Sequence, residues 1–199
     1  MSDVRPIAAA GFVLAGGRSS RMGQDKALLT LGGEPLVQRA VRALSEVCAE
    51  VAIAGGVEEL MRFGRVIPDK FPGCGPLGGI VSALEQSPAE WNLFLSVDAP
   101  FVPVSCLKTL LLMTLDFSGI GVIARVDNRM QPLCAVYSRM ALGVLEQELA
   151  AGRWKVLSAV EAAGEVKVMD FEDAGWFANL NTPEEFAEAE RQGDGLHPK

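Results

Sequence analysis

The chain has 199 residues, 49% hydrophobic and 22% charged, which is enough apolar content for one sizeable core and short for two independent ones. Its formal net charge of −7 argues against general DNA or RNA binding by neutralisation of many phosphates, but not against a small anionic ligand met by a local cluster of donors. The first residues lack the pattern of a secretory signal, no apolar run reaches membrane-spanning length, and Cys48, Cys74, Cys106 and Cys134 form no C-x-x-C pair, so we expect a cytosolic chain with reduced thiols, no membrane contact and no nucleic-acid partner.

In chain order, residues 7–14 are a continuous small and apolar run ended by Ala15-Gly16-Gly17, the pattern of a buried parallel strand feeding a loop. The loop lasts to about Asp25, read as a loop stabiliser. Pro35 opens a helix to Ser45, in which Leu36, Val37, Ala40, Val41 and Leu44 recur at helical spacing. There follow a strand over 51–54, a short helix over 58–63, a strand over 65–67 and, through a turn rich in glycine and proline, a helix over 76–86. A buried strand over 91–97 delivers Asp98 just past its end, before a helix over 103–115. This alternation predicts a single α/β domain, residues 1–193, with a mostly parallel open sheet and helices on both faces. Further strands are expected over 119–124, 131–137 and 166–170, with helices over 139–150 and 155–163. At Thr182-Pro183-Glu184-Glu185 the order is that of a capping box, with Thr182 as cap and Glu185 closing it. Residues 194–199 are expected to be a disordered tail.

An open α/β sheet takes its ligands at the carboxyl ends of its strands, where the strand order reverses. Three segments are expected on that edge: the loop from Leu14 to Lys26, the loop from Asp69 to Gly79, and Asp98. The first reads LAGGRSSRMGQDK and fits neither G-x-x-x-x-G-K-[ST] nor G-x-G-x-x-G. Its chemistry still suits phosphate: Gly16 and Gly17 let backbone N–H groups approach an anion, Arg21 can fork across two oxygens, and Lys26 is a movable point charge. An ordinary strand-to-loop turn with solvated Arg18, Arg21 and Lys26 is the competing reading. Residues 73–78 formally satisfy G-x-G-x-x-G, but Pro68, Asp69 and Pro72 separate them from their strand and Pro76 lies inside, which rules against a dinucleotide fingerprint. With His197 the sole histidine, neither a Ser-His-Asp triad nor a histidine metal cluster can be assembled.

The order L-x-G-G-x-x-x-R-M-G-x-D-K, followed by G-G-E-P-L, resembles the signature of the small nucleotidyltransferases of the GT-A-like (nucleotide-diphospho-sugar transferase) fold. Within them it is most similar to the molybdenum cofactor guanylyltransferases. Asp69 with Gly75-Pro76-Leu77, Asp98 with Pro100-Phe101, Gln131-Pro132-Leu133 and Asn179-Leu180-Asn181-Thr182-Pro183 are similar to later family motifs. The resemblance implies Mg2+-dependent transfer of GMP from GTP to the molybdopterin cofactor. It further implies catalytic roles for Arg21, Lys26 and Asp98, with Asp98 as the metal ligand. The nucleotide would be bound by Leu14, Ala15, Gly16, Gly17, Lys26, Asp69, Gly75, Pro76, Leu77 and Asp98. Transient contact with molybdoenzymes or cofactor-insertion proteins is an expected consequence.

In one place the chain departs from the pattern: several relatives carry a nucleotide-contacting asparagine after the second long strand, where this chain has Ala54-Gly55-Gly56. Three alternatives stay open: a cytidylyltransferase for the same pterin, a sugar-phosphate nucleotidyltransferase, and a non-catalytic nucleotide-binding adaptor. Gly16-Gly17, where cytidylyl relatives resemble L-A-A-G, favours the guanylyl reading. For the acceptor, Arg125, Arg129, Arg139, Arg153 and Trp154 are candidates, against the alternative of ordinary surface side chains.

Overall fold

The computed structural model describes residues 8–16, 25–180 and 182–192. The strands are β1 (Ala9–Leu14), β2 (Thr30–Leu31), β3 (Glu34–Pro35), β4 (Glu50–Ala54), β5 (Arg65–Ile67), β6 (Trp91–Ser96), β7 (Gly121–Val126), β8 (Arg129–Ser138) and β9 (Val166–Asp170). The helices are α1 (Leu36–Ser45), α2 (Pro76–Gln86), α3 (Val104–Leu112), α4 (Leu142–Ala150), α5 (Val156–Ala163) and α6 (Pro183–Gln192). The main sheet has seven strands in the order β5-β4-β1-β6-β8-β7-β9. All neighbouring pairs are parallel except those of β8, which runs antiparallel to both β6 and β7.

Both faces are covered, which explains why the central strands read as unbroken apolar runs rather than as an alternation. In β1 every residue is buried. Ala9 and Val13 face one layer, and Ala10, Phe12 and Leu14 the other. The first layer holds α1, α3 and α6, which contribute Leu36, Val37, Ala40 and Leu44, then Cys106, Leu107 and Leu110, then Phe186 and Ala189. The second holds α2, α4 and α5, with Leu77, Ile80, Leu84, Leu145 and Val160. α1 lies so close to the sheet that a Cβ on Gly11 would stand 3.2 Å from the Cβ of Leu44.

The predicted elements are present with boundaries shifted by up to three residues, and three features were not anticipated. β2 and β3 form a small hairpin whose turn, Gly32-Gly33, has φ of +60° and +77°, the left-handed pair that a type I′ turn requires. β7 and β8 form a second hairpin around Asp127-Asn128, also at positive φ, where Asp and Asn tolerate the conformation better than most residues. Within that hairpin the register jumps so that Ile123 faces Ala135 while Ala124 faces Gln131. Pro132, Leu133 and Cys134 therefore bulge, and the hydroxyl of the buried Tyr137 donates to the Pro132 carbonyl at 2.7 Å. Sequence periodicity carries no sign of a bulge, because it is a mismatch between two strands. Thr182 and Glu185 make the expected capping box: Glu185 N donates to Thr182 Oγ1 at 3.1 Å and Thr182 N to Glu185 Oε2 at 2.9 Å. The tail expected at 194–199 lies outside the described residues.

Candidate active site

From β1 the chain moves outward to β4 and β5, then returns to β6 on the other flank of β1. The reversal between β1 and β6 opens a crevice at their carboxyl ends. Strand-like pairing continues one step past each end, with Val97 N donating to Leu14 O at 3.2 Å and Ala15 N to Ala54 O at 3.1 Å. The residues just beyond these pairs are therefore aimed by rigid backbone. Gly16 crosses Gly55 at close range: a Cβ on Gly55, whose φ is +78°, would stand 3.1 Å from Gly16 Cα. Two backbones meet here with no side chain between them.

Gly17 and Arg21 lie outside the described residues. The chain is described again from Asp25, whose Oδ1 accepts from Ala27 N at 2.9 Å and so caps a 3₁₀ turn, Lys26–Leu28. Asp25 is the loop stabiliser expected of it. Ala27 is completely buried and anchors the turn, while Lys26 reaches across the crevice to Asp98, Nζ to Oδ1 2.8 Å. The side chains are 12% and 35% exposed respectively, so the pair sits at a half-open edge rather than in the core. Asp98 is held by its backbone: its N–H donates to Ser96 Oγ at 3.3 Å, and its carbonyl accepts from Leu180 N at 3.1 Å. It does not cap α3, whose N-cap residue is Pro103.

The third expected segment sits over the start of α2. Asp69 Oδ1 accepts from Phe71 N at 2.8 Å and so stabilises the turn. Lys70 N donates to Ser82 Oγ at 3.1 Å, and Ser82 Oγ to Gly78 O at 2.9 Å. Gly78 is where this loop lies on the helix, since a Cβ there would come 2.9 Å from Phe71 O and 3.0 Å from Asp69 Oδ1. Gly75, at φ +67°, precedes Pro76 at the head of α2 with no side-chain cap; Pro76 has no N–H and Gly78 N donates to Gly75 O at 3.2 Å, so it is chiefly the positive end of the helix dipole that faces this edge. The side chains of Leu14, Ala15 and Leu77 are all buried; at those positions only backbone can meet a ligand.

The acceptor candidates divide. Arg125 and Arg129 flank the β7–β8 turn, which the strand directions place on the same edge as Asp98. Arg139 follows the far end of β8, its N–H bonded to Glu90 O at 2.8 Å, and so stands on the opposite edge. Arg125 is paired with Asp170 and Arg153 with Glu148; each guanidinium, chiefly by its hydrogen bonds, holds its partner carboxyl below the ordinary range. Trp154 is half exposed and donates its Nε1–H to Leu149 O at 3.4 Å.

None of the four thiols stands out as a nucleophile. Burial pushes Cys48 up to about 12, and Cys134 is raised by its hydrogen bond with Cys106 and by burial; both are held as thiols. Cys74, in the loop before α2, is half-buried and free. Among the described residues no three His, Cys, Asp or Glu side chains converge as a metal cage, and no helix is long and apolar enough to cross a membrane. A cleft of about 870 Å³ opens on the opposite edge, among Ala9, Glu50, Trp91 and Phe117, but none of the crevice residues lines it. Sequence reasoning missed Ser96, Gly78 and Leu180 as supports; the N-L-N-T-P order was visible, but not which strand end it would touch.

The profile of the MobA-like NTP transferase domain matches residues 11–165. A probable molybdenum cofactor guanylyltransferase of Pelotomaculum thermopropionicum is 39% identical, with 92% of each chain covered. The molybdenum cofactor guanylyltransferase of Vibrio cholerae is 33% identical over 100% of this chain and 97% of its own. Among solved structures, molybdopterin-guanine dinucleotide biosynthesis protein A of Archaeoglobus fulgidus superposes with a TM-score of 0.78 at 24% identity, covering 93% of this chain and 98% of that one. CMP:2-keto-3-deoxy-manno-octonic acid synthetase, solved with CTP, superposes at 0.73 with 16% identity over 94% and 98%. The fold is thus common to enzymes for different nucleosides, whereas the sequence, from the glycine loop through the Lys26–Asp98 crevice to just past α5, places this chain in the MobA-like NTP transferase family, to which it belongs.

Proposed function

We propose that this nucleotidyltransferase moves GMP from GTP to the molybdopterin-based molybdenum cofactor and releases pyrophosphate. The observation that carries the reading is the pairing of Lys26 with Asp98 at 2.8 Å across the crevice between β1 and β6, in a chain whose full-length relatives at 33–39% identity are named for this reaction. In the transfer an acceptor phosphate oxygen attacks the α-phosphorus, a new O–P bond forms, the bond to the β-phosphate oxygen breaks, and its electron pair leaves with pyrophosphate. Alignment and charge neutralisation suffice; no protein nucleophile is needed.

Asp98 suits a magnesium ion. It is a single half-exposed carboxylate on a rigid strand end, and Mg2+ is commonly held by one or two carboxylates together with substrate phosphates and water. Bound there, the ion would neutralise phosphate charge. Lys26, drawn from Asp98 towards the triphosphate, offsets the charge that builds on the leaving group, and Arg21 grips the outer phosphates. Backbone of Leu14, Ala15 and Gly16 lines the near wall, and the head of α2 at Gly75, Pro76 and Leu77, with Asp69 behind it, the far one. The reaction belongs to the cytosol on this reading, with the product passed on through transient contact with molybdoenzymes or cofactor-insertion proteins.

The test is to follow pyrophosphate with GTP and Mg2+, with and without molybdopterin. Release that depends on molybdopterin and on Mg2+ is expected. Equal or better turnover of CTP overturns the guanylyl assignment, and no release with any nucleotide points to the adaptor.

A further inference from the structure

The profile that identifies the family stops at residue 165, yet the polypeptide beyond it returns to the crevice. After β9 the chain crosses the first helical layer and buries Phe177 and Leu180, then Phe186 and Ala189 of α6. These four belong to the same core cluster as Val97, Ala99 and Val102, which bracket Asp98, and as Ala27 and Leu31, which follow Lys26. The contact has two anchors. At one, Leu180 N donates to the carbonyl of Asp98 itself at 3.1 Å. At the other, α6 packs against β2, four residues beyond Lys26. Between the anchors the Thr182–Glu185 capping box fixes where α6 begins.

We infer that residues 177–180 and 182–189 act as a strap that sets the separation of Lys26 from Asp98, with Leu180 and Phe186 as positioning residues for the transfer. Lys26 stands on a 3₁₀ turn and Asp98 on a turn after β6, 72 positions apart in the chain. Each turn is tied to the sheet at one end at most, so the sheet alone does not fix its far side. The strap is bonded by its backbone to Asp98 and packs on β2, which follows the Lys26 turn. Its buried residues touch no reacting atom; they act by holding two groups whose spacing must match a triphosphate, where a displacement of about 1 Å costs on the order of a hundredfold in rate. The inference rests on the proposed roles of Lys26 and Asp98.

The test uses the full chain with GTP, Mg2+ and molybdopterin, and compares Leu180→Ala and Phe186→Ala with Leu84→Ala. Leu84 is fully buried in α2 against the other face of the sheet, and its truncation controls for lost core packing. At a temperature where all three remain folded, the strap variants are expected to lose roughly tenfold or more in kcat, with KM for GTP changed less than about threefold. Leu84→Ala is expected to keep its kcat. In an Asp98→Asn background the loss from Leu180→Ala should vanish, since the residue acts through Asp98. Hydrogen exchange of the 97–101 segment should rise in the strap variants and not in the control. If Leu180→Ala does not fold, Leu180→Val and Phe186→Leu carry the same comparison with smaller losses. Equal loss in Leu84→Ala, or an undiminished loss in the Asp98→Asn background, overturns the strap while leaving the transfer reading intact. A wild-type chain that releases no pyrophosphate refutes that reading instead, and the exchange comparison still decides whether the strap holds the Asp98 turn.

Discussion

The two edges of the sheet are built from the same strands and could hardly differ more. At the amino ends of β1, β4 and β6 lies the wide cleft, where Trp91 stacks on Phe117 and the charged lining residues are Glu50, Glu90 and Asp116. At the carboxyl ends the crevice is shaped by Gly16 on Gly55, by Gly78 beneath Asp69, and by Lys26 against Asp98. The first edge offers an open cleft of about 870 Å³; at the second, among the described residues, a lysine, a carboxylate and closely approaching backbone come together. Chemistry on phosphates needs positive charge, a metal-binding oxygen and close backbone approach, and the proposed transfer draws on the second edge for all three.

The largest expected effect tests this contrast at its centre. Lys26→Ala should cut turnover about a hundredfold or more while the protein still melts cooperatively, by analogy with losing one transition-state donor; steady-state kinetics with GTP beside a thermal scan checks it. Unchanged turnover would break the comparison outright. Gly55→Ala is expected next. A Cβ forced onto Gly16 from a backbone at φ +78° should strain the loop by about 1–3 kcal/mol and raise KM for GTP roughly tenfold, a conversion of about 1.4 kcal/mol, measured by nucleotide titration. At the opposite edge Trp91→Ala should cost about 3 kcal/mol of stability yet leave kcat and KM unchanged at temperatures where the variant is folded. A selective loss of turnover there would show that the wide cleft takes part.

The smallest effect is expected at exposed ion pairs. Arg153 holds the Glu148 carboxyl below its usual value, mainly by hydrogen bonding. A depressed folded pKa gives a contribution that is present above the unfolded value of about 4.3 and lost as pH falls through the folded one. Glu148→Gln should therefore cost a little stability at pH 7, since surface pairs contribute little, a difference that shrinks as pH falls below about 4.3 and the wild type loses the pair too, and it should leave turnover unchanged. Acid titration followed by circular dichroism checks the first part and GTP turnover the second.

Much of this was legible in the sequence because it is local. Arg65–Ile67, Pro76–Gln86 and Val166–Asp170 were read to the residue, since Gly, Pro and the apolar period mark their limits within a few positions. The cap at Thr182 was equally readable, its partner lying three residues away. The direction of β8 and its bulge at Pro132 were not, because each depends on which strand lies alongside. The same division runs through the site. Lys26 and Asp98 were singled out for their types and neighbours, and Arg21 and Gly17 on the same grounds, though these two lie outside the described residues.

By itself the sequence determined the alternation of strands and helices, the glycines that admit a backbone to a phosphate, and the motifs of the family. The tertiary structure alone decided that Lys26 meets Asp98 at 2.8 Å, that Gly55 meets Gly16 backbone to backbone, and that Leu180, 82 positions after Asp98, is bonded to it. Propensity and periodicity act over a few residues, whereas a spacing between loops is set by how the strands stack and by what packs across their ends.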